Sequence, residues 1–276
     1  MSFAMTAFIA NDAMIKAIGE RVPVAQMIVV RGLMAITLII LVAQRLGALS
    51  RVREGFRRPV LVRAGCEGLG TFFYLAALLH LPLANVTAIN LSSPLFVALL
   101  AVLLLKEQVN RARWVAIGLG FAGVLLVVQP RLDDFNVFAW IGMLATLIYA
   151  FRDLLTRKIP TSTPSILVTL CTAVVVSFMA AILLIFQGWA AMTWYDTGLL
   201  GIAAMFLSSG YYSIIAAMRH SELSAVAPFR YVGLLWALVI GYTVWGHVPN
   251  SLAWTGIVLL IGAGVFMIRQ QHSKSA

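Results

Sequence analysis

Charge is what this chain has least of: 11% of its 276 residues are Asp, Glu, Lys or Arg, where a water-soluble domain carries about 25%. With 62% hydrophobic residues and a mean hydropathy of +0.96, that deficit excludes a soluble globule. Two cysteines, Cys66 and Cys171, both inside apolar runs, are too few and wrongly spaced for a disulfide framework or a thiolate metal site, and read as small core residues. There is no phosphate-binding glycine loop, no Cys/His ligand spacing and no paired-carboxylate motif. Ser208-Ser209-Gly210 lacks the flanking glycine of a nucleophile elbow. These absences leave an enzyme reading without support, and no cofactor or metal is expected. The chain also opens directly in an apolar run, without a basic leader and small-residue cleavage site. The first helix is therefore expected to be its own insertion signal.

What is present is apolar length. Runs can be marked at 1–19, 22–46, 60–80, 84–105, 114–129, 135–155, 165–189, 198–218, 225–246 and 252–268, separated by short connectors such as GERVP, HLPL, PRLDD and GHVPN. A bilayer core of ~30 Å takes about 20 residues of helix per crossing. The period-two alternation of a membrane barrel is absent, so the runs predict an all-α polytopic protein with ten transmembrane helices.

The net charge of +10 is confined to short segments between these runs. That pattern marks a membrane side and argues against nucleic acid as a partner. With both termini cytoplasmic, Arg45, Arg51, Arg53, Arg57, Arg58, Arg63, Lys106, Arg111, Arg113, Arg152, Arg157, Lys158, Arg219, Arg269 and Lys274 fall inside and only Arg21 and Arg131 outside, fifteen against two. In this topology His80 and His220 lie at opposite faces and cannot cooperate in catalysis.

Residues 70–124 laid against residues 140 positions later give 11 identities in 55 positions, including His80 with His220, Asn110 with Asn250 and Trp114 with Trp254. Each repeat would hold five helices, an odd number, so the second must enter the membrane inverted. Two inverted repeats, 1–134 and 135–276, with a site near the midplane are the arrangement of many secondary transporters.

Charges inside the apolar runs need explaining, because one at the bilayer centre costs ~2.5–3.5 kcal/mol even on insertion scales. Asp12 and Lys16 are one turn apart on helix one, acid first, the favourable order for an intrahelical pair. Arg31 lies about 13 Å into helix two and Asp12 about 10 Å below the same face at the helical rise per residue, so Asp12 is a natural acceptor for Arg31. On the other side Glu67 lies about 10 Å deep and Arg230 about 7 Å, and these could pair as well, with Arg63 a rival for Glu67. The charges are either fixed ion pairs, with Lys16 snorkelling, or the wall of a polar cavity that meets a solute or a proton.

Pro94 in NLSSPLF removes the donor to the Asn90 carbonyl, leaving either a bland kink or a helix that borders such a cavity. Pro228, followed by Phe229, Arg230 and Tyr231, could act similarly. Tyr74, Tyr149, Tyr211, Tyr212, Tyr231 and Trp236 lie within the runs, some for packing and some suited to a ring-bearing solute. Gly118, Gly120, Gly123, Gly256, Gly262 and Gly264 supply small faces for helix packing within the chain or for a homodimer.

Taken in order, Pro-Leu-Ala at 82–84, the mid-helix Pro94, Lys106-Glu107, Arg113-Trp114 and the glycine-rich fifth helix resemble the first repeat of the EamA branch of the drug/metabolite transporter superfamily. The ten runs and two halves extend the resemblance over the chain. It departs where Gly246 and His247 stand in place of a second Lys-Glu. The resemblance implies a multi-pass inner-membrane transporter, surrounded by lipid, with a central cavity lined mainly by helices one, three, four, six, eight and nine. Asp12, Lys16, Glu67, Asn90, Tyr149, Tyr211, Arg230 and Tyr231 fall on those helices, and Arg31 on helix two completes the candidate substrate-binding set. Proton coupling is expected to favour Glu67 over Asp12. Asn11-Asp12 with Lys16, and Arg31-Gly32, are similar to members assigned to riboflavin or S-adenosylmethionine uptake. Other branches export amino acids and related solutes.

Overall fold

A computed structural model describes residues 2–105, 111–128, 137–156, 159–160, 162–220 and 232–272. Prolines start several of its helices, because a fixed φ and a missing N–H suit the first turn. Pro23, Pro82 and Pro164 each occupy the cap before a helix, and Pro59 lies in a first turn. In chain order the helices are α1 (Ser2–Ile18), α2 (Val24–Arg45), a short α3 (Val52–Gly55), α4 (Arg58–His80), α5 (Leu83–Asn90), α6 (Ser93–Leu105), α7 (Arg111–Val128), α8 (Val137–Thr156), α9 (Ser165–Gln187), α10 (Trp194–His220), α11 (Val232–Trp245) and α12 (Ser251–His272). Gly188 and Gly246 follow α9 and α11 with φ of 77° and 67°, the left-handed region that costs glycine nothing.

All regular structure among the described residues is helical, as expected of a polytopic membrane protein. By length and composition α2, α4, α8 and α9 are each able to cross a bilayer, and shorter apolar helices accompany them. Among the described residues the expected run at 84–105 is not a single helix. At Pro94 the chain does more than kink: α5 ends at Asn90, and Leu95 and Phe96 both donate their N–H to the carbonyl of Ser92, which starts α6.

The broadest packing joins α4 to α8, α7 to α12, α2 to α9 and α1 to α10. The first and third of these contacts run antiparallel in detail. His80 stacks on Phe138 with ring centroids 3.6 Å apart, while Arg63, at the other end of α4, donates to Thr156. On α2 and α9, Ala25 N–H donates to Gln187 while Gly32 packs on Ser177. A Cβ on Gly70 would lie 2.5 Å from the ring of Tyr149, and one on Gly210, 140 positions later, 3.0 Å from the ring of Phe8. Gly70 on α4 thus meets α8 as Gly210 on α10 meets α1.

The largest buried cluster, including Ile15, Ile18, Met27, Leu78, Leu81 and Leu83, fills the end of the bundle where α1 terminates. Arg21 with Asp196 (2.7 Å) and Gln26 with both N–H and C=O of Ala190 (2.9 Å each) tie the connectors at that end. Asp196 lies ahead of the apolar part of α10. Its carboxyl is held below the usual range by the Thr193 hydroxyl and N–H, with Arg21 adding to the effect.

Gly123 and Gly256 turn out to serve packing within the chain. A Cβ on Gly123 would lie 2.7 Å from the carbonyl oxygen of Gly256, whereas Gly118 and Gly262 face open space. Gly123→Ala should therefore lower thermal stability in detergent, since overpacking costs ~1–3 kcal/mol against at most about 1 kcal/mol gained by leaving glycine in a helix. Gly118→Ala should be neutral or stabilising. Equal melting temperatures for the two variants would contradict the α7–α12 contact.

Candidate functional site

Between these helices lies a cavity of about 280 Å³ that runs from the middle of the bundle toward the end where α2 terminates. Asp12, Arg31, Glu67, Asn90, Tyr149 and Tyr211 all line it, so the fold brings together six of the candidate residues. Arg230 and Tyr231 lie outside the described residues. Lys16 lies elsewhere. Its ammonium donates to the carbonyls of Leu78 (2.7 Å) and Leu81 (2.7 Å), fastening α1 to the end of α4. The expected pair with Asp12 is not formed, because free carbonyls at a helix C-terminus attract a cation.

Two polar clusters share the cavity. The first is a relay around Asp12. Tyr74 OH donates to Asp12 Oδ2 (2.7 Å), and Asn11 Nδ2 donates to Asp12 Oδ1 (3.0 Å). Arg31 Nη1 donates to Asn11 Oδ1 at 2.8 Å. The matched depths of Asp12 and Arg31 thus placed them in one network, but Asn11 stands between them. Both charged residues are buried, Arg31 at 5% exposure and Asp12 at 8%.

The second cluster is centred on Glu67, on α4. Arg152 Nη1 from α8 donates to both of its carboxylate oxygens (2.7 and 2.8 Å). Arg63, one turn earlier on α4, pairs with it at 3.1 Å, and Tyr211 OH from α10 donates at 2.9 Å. Arg152 also pairs with Asp153 at 2.7 Å, and Arg63 Nη1 donates to Thr172 Oγ1 on α9 at 2.6 Å. Two arginines therefore face two carboxylates, which a low-dielectric interior requires. The Arg152 guanidinium lies 4.8 Å from the Tyr149 ring centre, a cation–π contact, and Tyr149 OH reaches Thr71 at 3.5 Å.

Arg152 and Arg63 correct the sequence reading, which put both at the inner face. They line the cavity and both pair with Glu67, Arg63 as the expected rival and Arg152 as a partner not foreseen, while the expected pairing of Glu67 with Arg230 lies outside the described residues. Without Arg63 and Arg152 the inner-face bias falls from fifteen to thirteen against two and keeps its sign. The available signal was spacing: Arg152 follows Tyr149 by three residues and so shares its helix face. Asn90 and Ser93 line the cavity on either side of the α5–α6 break, as a cavity border demands. Of the other aromatics, Tyr212 and Trp236 are exposed on the outside of the bundle.

Glu67 is held by three donors, so its negative charge is structural in this state. Glu67→Gln leaves the buried Arg63 without its carboxylate and the half-buried Arg152 with Asp153 alone, and should cost ~3–5 kcal/mol, seen as a large fall in melting temperature in detergent. Tyr211→Phe removes one hydrogen bond to a charged group and should cost about 1.5–3 kcal/mol. A Glu67→Gln protein as stable as the original would contradict this geometry.

Residues 1–129, spanning α1 to α7, match the profile of the EamA-like transporter family. The chain is 26% identical to the riboflavin transporter of Rhizobium johnstonii over 84% of this chain and 76% of that protein. It is 28% identical to the S-adenosylmethionine uptake transporter of Rickettsia bellii over 68% of this chain and 64% of that one. It is 27% identical to the pseudopaline exporter of Pseudomonas aeruginosa over 95% and 92%. One solved crystal structure, 17% identical, superposes with a TM-score of 0.66 over 98% of this chain and 97% of its own, a likeness of fold. With its apolar helices, its interior polar cavity and these matches, the chain is a multi-pass membrane protein that carries an EamA-like transporter domain over residues 1–129 and is similar over most of its length to bacterial transporters.

Proposed function

We propose that this protein is a secondary transporter that moves a small polar or aromatic organic metabolite across the inner membrane by alternating access. The observation that carries the reading is the cavity itself: Arg31, Arg63, Arg152, Asp12, Glu67 and Asp153 line one space inside an apolar helix bundle. Charges in that position are expensive to bury and default to a solute or ion pathway. The relatives support uptake of riboflavin or S-adenosylmethionine as the leading cases. The pseudopaline exporter, matched over more of the chain than either, favours a second reading, export of an amino acid or related metabolite.

Two inverted repeats, 1–134 and 135–276, fit the matching contacts of Gly70 with Tyr149 and Gly210 with Phe8. With both termini cytoplasmic, the apolar cluster and the Lys16 tie close the outer end, and the cavity extends toward the cytoplasm. Transport then requires the Lys16 bonds at one end and contacts at the other to form in alternation. Of the cavity carboxylates, Glu67 and Asp153 meet arginines, while Asp12 is held by the neutral donors Asn11 and Tyr74. Asp12 rather than Glu67 is thus the carboxylate best placed to take up a proton during coupling.

The full chain in proteoliposomes should accumulate radiolabelled riboflavin, S-adenosylmethionine or an amino acid saturably and release it chemically unchanged. Asp12→Asn, which keeps an acceptor for the Tyr74 hydroxyl, should transport with a flattened pH dependence. Cysteines placed at 51–58 should react only with reagent added from the cytoplasm, and those at 190–196 only from outside. Recovery of a modified solute, or binding with no movement, would overturn the transport reading.

A further inference from the structure

Three buried donors facing the cavity have no partner among the described residues: Arg31 Nε, Ser177 Oγ and Ser208 Oγ. Buried polar atoms are nearly always hydrogen-bonded, so three orphans in one cavity ask what acceptor they await. Arg31 and Ser177 line the same cavity from the packed pair α2 and α9. The Ser177 hydroxyl on α9 packs directly on Gly32, the residue after Arg31, where no Cβ could fit. Arg31 is 5% exposed and Ser177 7%, so the cavity is the space their free donors can reach, and a solute there competes only with the water it holds. Ser208 approaches the cavity from α10.

The chemistry of the missing acceptor follows from how Arg31 is used. Its Nη1 is spent on the amide oxygen of Asn11, a neutral acceptor, so its positive charge meets no carboxylate directly. A guanidinium with a free Nε–H and a free hydroxyl lining the same cavity are donors suited to an anionic acceptor such as a carboxylate. On the same network Asp12 accepts two neutral hydrogen bonds and presents a carboxylate to anything cationic.

Resting on the transport reading above, we propose that Arg31 and Ser177, assisted by Ser208, form a carboxylate subsite, so that the solute is a carboxylate-bearing metabolite whose ammonium or sulfonium cation lies toward Asp12. Among the leading cases this selects S-adenosylmethionine, or an amino acid, over the uncharged flavin.

The test is equilibrium binding and thermal stabilisation of the purified full chain. The probes are S-adenosylmethionine and its decarboxylated counterpart, the amino acids and their amides, and riboflavin. A carboxylate probe should bind, and its decarboxylated or amidated counterpart should bind on the order of tenfold more weakly. Ser177→Ala should cost the carboxylate probe a similar factor and leave its counterpart unaffected. The unliganded Ser177→Ala protein should melt no lower than the original, since deleting an orphan hydroxyl removes no bond. Ser165→Ala, which deletes an orphan hydroxyl away from the cavity, should change nothing. Unchanged binding in Ser177→Ala, equal binding of a probe and its amide, binding of riboflavin alone or stabilisation by no carboxylate would overturn the subsite. A carboxylate bound here but not moved in proteoliposomes would leave the subsite standing and overturn transport. Transport of riboflavin, unaffected by Ser177→Ala, would do the reverse.

Discussion

A charge in hydrocarbon must find an opposite charge or leave, and the interior of this protein is arranged around that constraint. Glu67 could not stand on α4 unless Arg63 came from the same face, Arg152 from α8 and Tyr211 from α10. One carboxylate thereby joins three helices and links the part of the chain before residue 134 to the part after it. Arg63 extends the network to α9 through Thr172. The charge is costly alone and stabilising only as part of this network, so the helices that carry it are constrained together.

The same constraint explains the break between α5 and α6. A backbone interrupted at membrane depth needs its freed groups satisfied by protein or by a cavity. Ser92 meets part of that need, donating its hydroxyl to the Ile89 carbonyl at 2.5 Å, and Asn90 and Ser93 face the cavity. At the other end of the bundle, Lys16 meets the carbonyls where α4 stops. Broken or ending helices and buried charges thus complement each other, and between them they leave a polar space that an apolar bundle would otherwise fill with leucine.

Much of this was legible beforehand because it follows from composition and period. The apolar runs located the helix ends closely: 165–189 became Ser165–Gln187 and 22–46 became Val24–Arg45. Buried charges were recognisable as partners because depth along a helix is simple arithmetic. What depth cannot supply is azimuth and the identity of a neutral intermediary. Asp12 and Arg31 were matched correctly in height, yet Asn11 intervened. Arg152, near the end of its run, looked like a flanking residue until α8 packed against α4. Lys16 looked like a partner for Asp12 because only the folded chain brings the end of α4 beside it. Ser177 carried no signal, since a lone serine in an apolar helix ordinarily bonds its own backbone, and Ser208 drew notice only in a nucleophile motif that it does not complete.

The account depends on the cavity being an aqueous, solute-accessible space within the membrane, and cysteine accessibility measures that most directly. With Cys66 and Cys171 replaced by serine, a single cysteine at Asn90, Thr156 or Ala173 should react with a membrane-impermeant thiol reagent added from the cytoplasmic side, and bound solute should slow the reaction. One at Ile15, in the closed cluster, should not react. Equal silence at all four positions, or labelling that solute leaves unchanged, would contradict it.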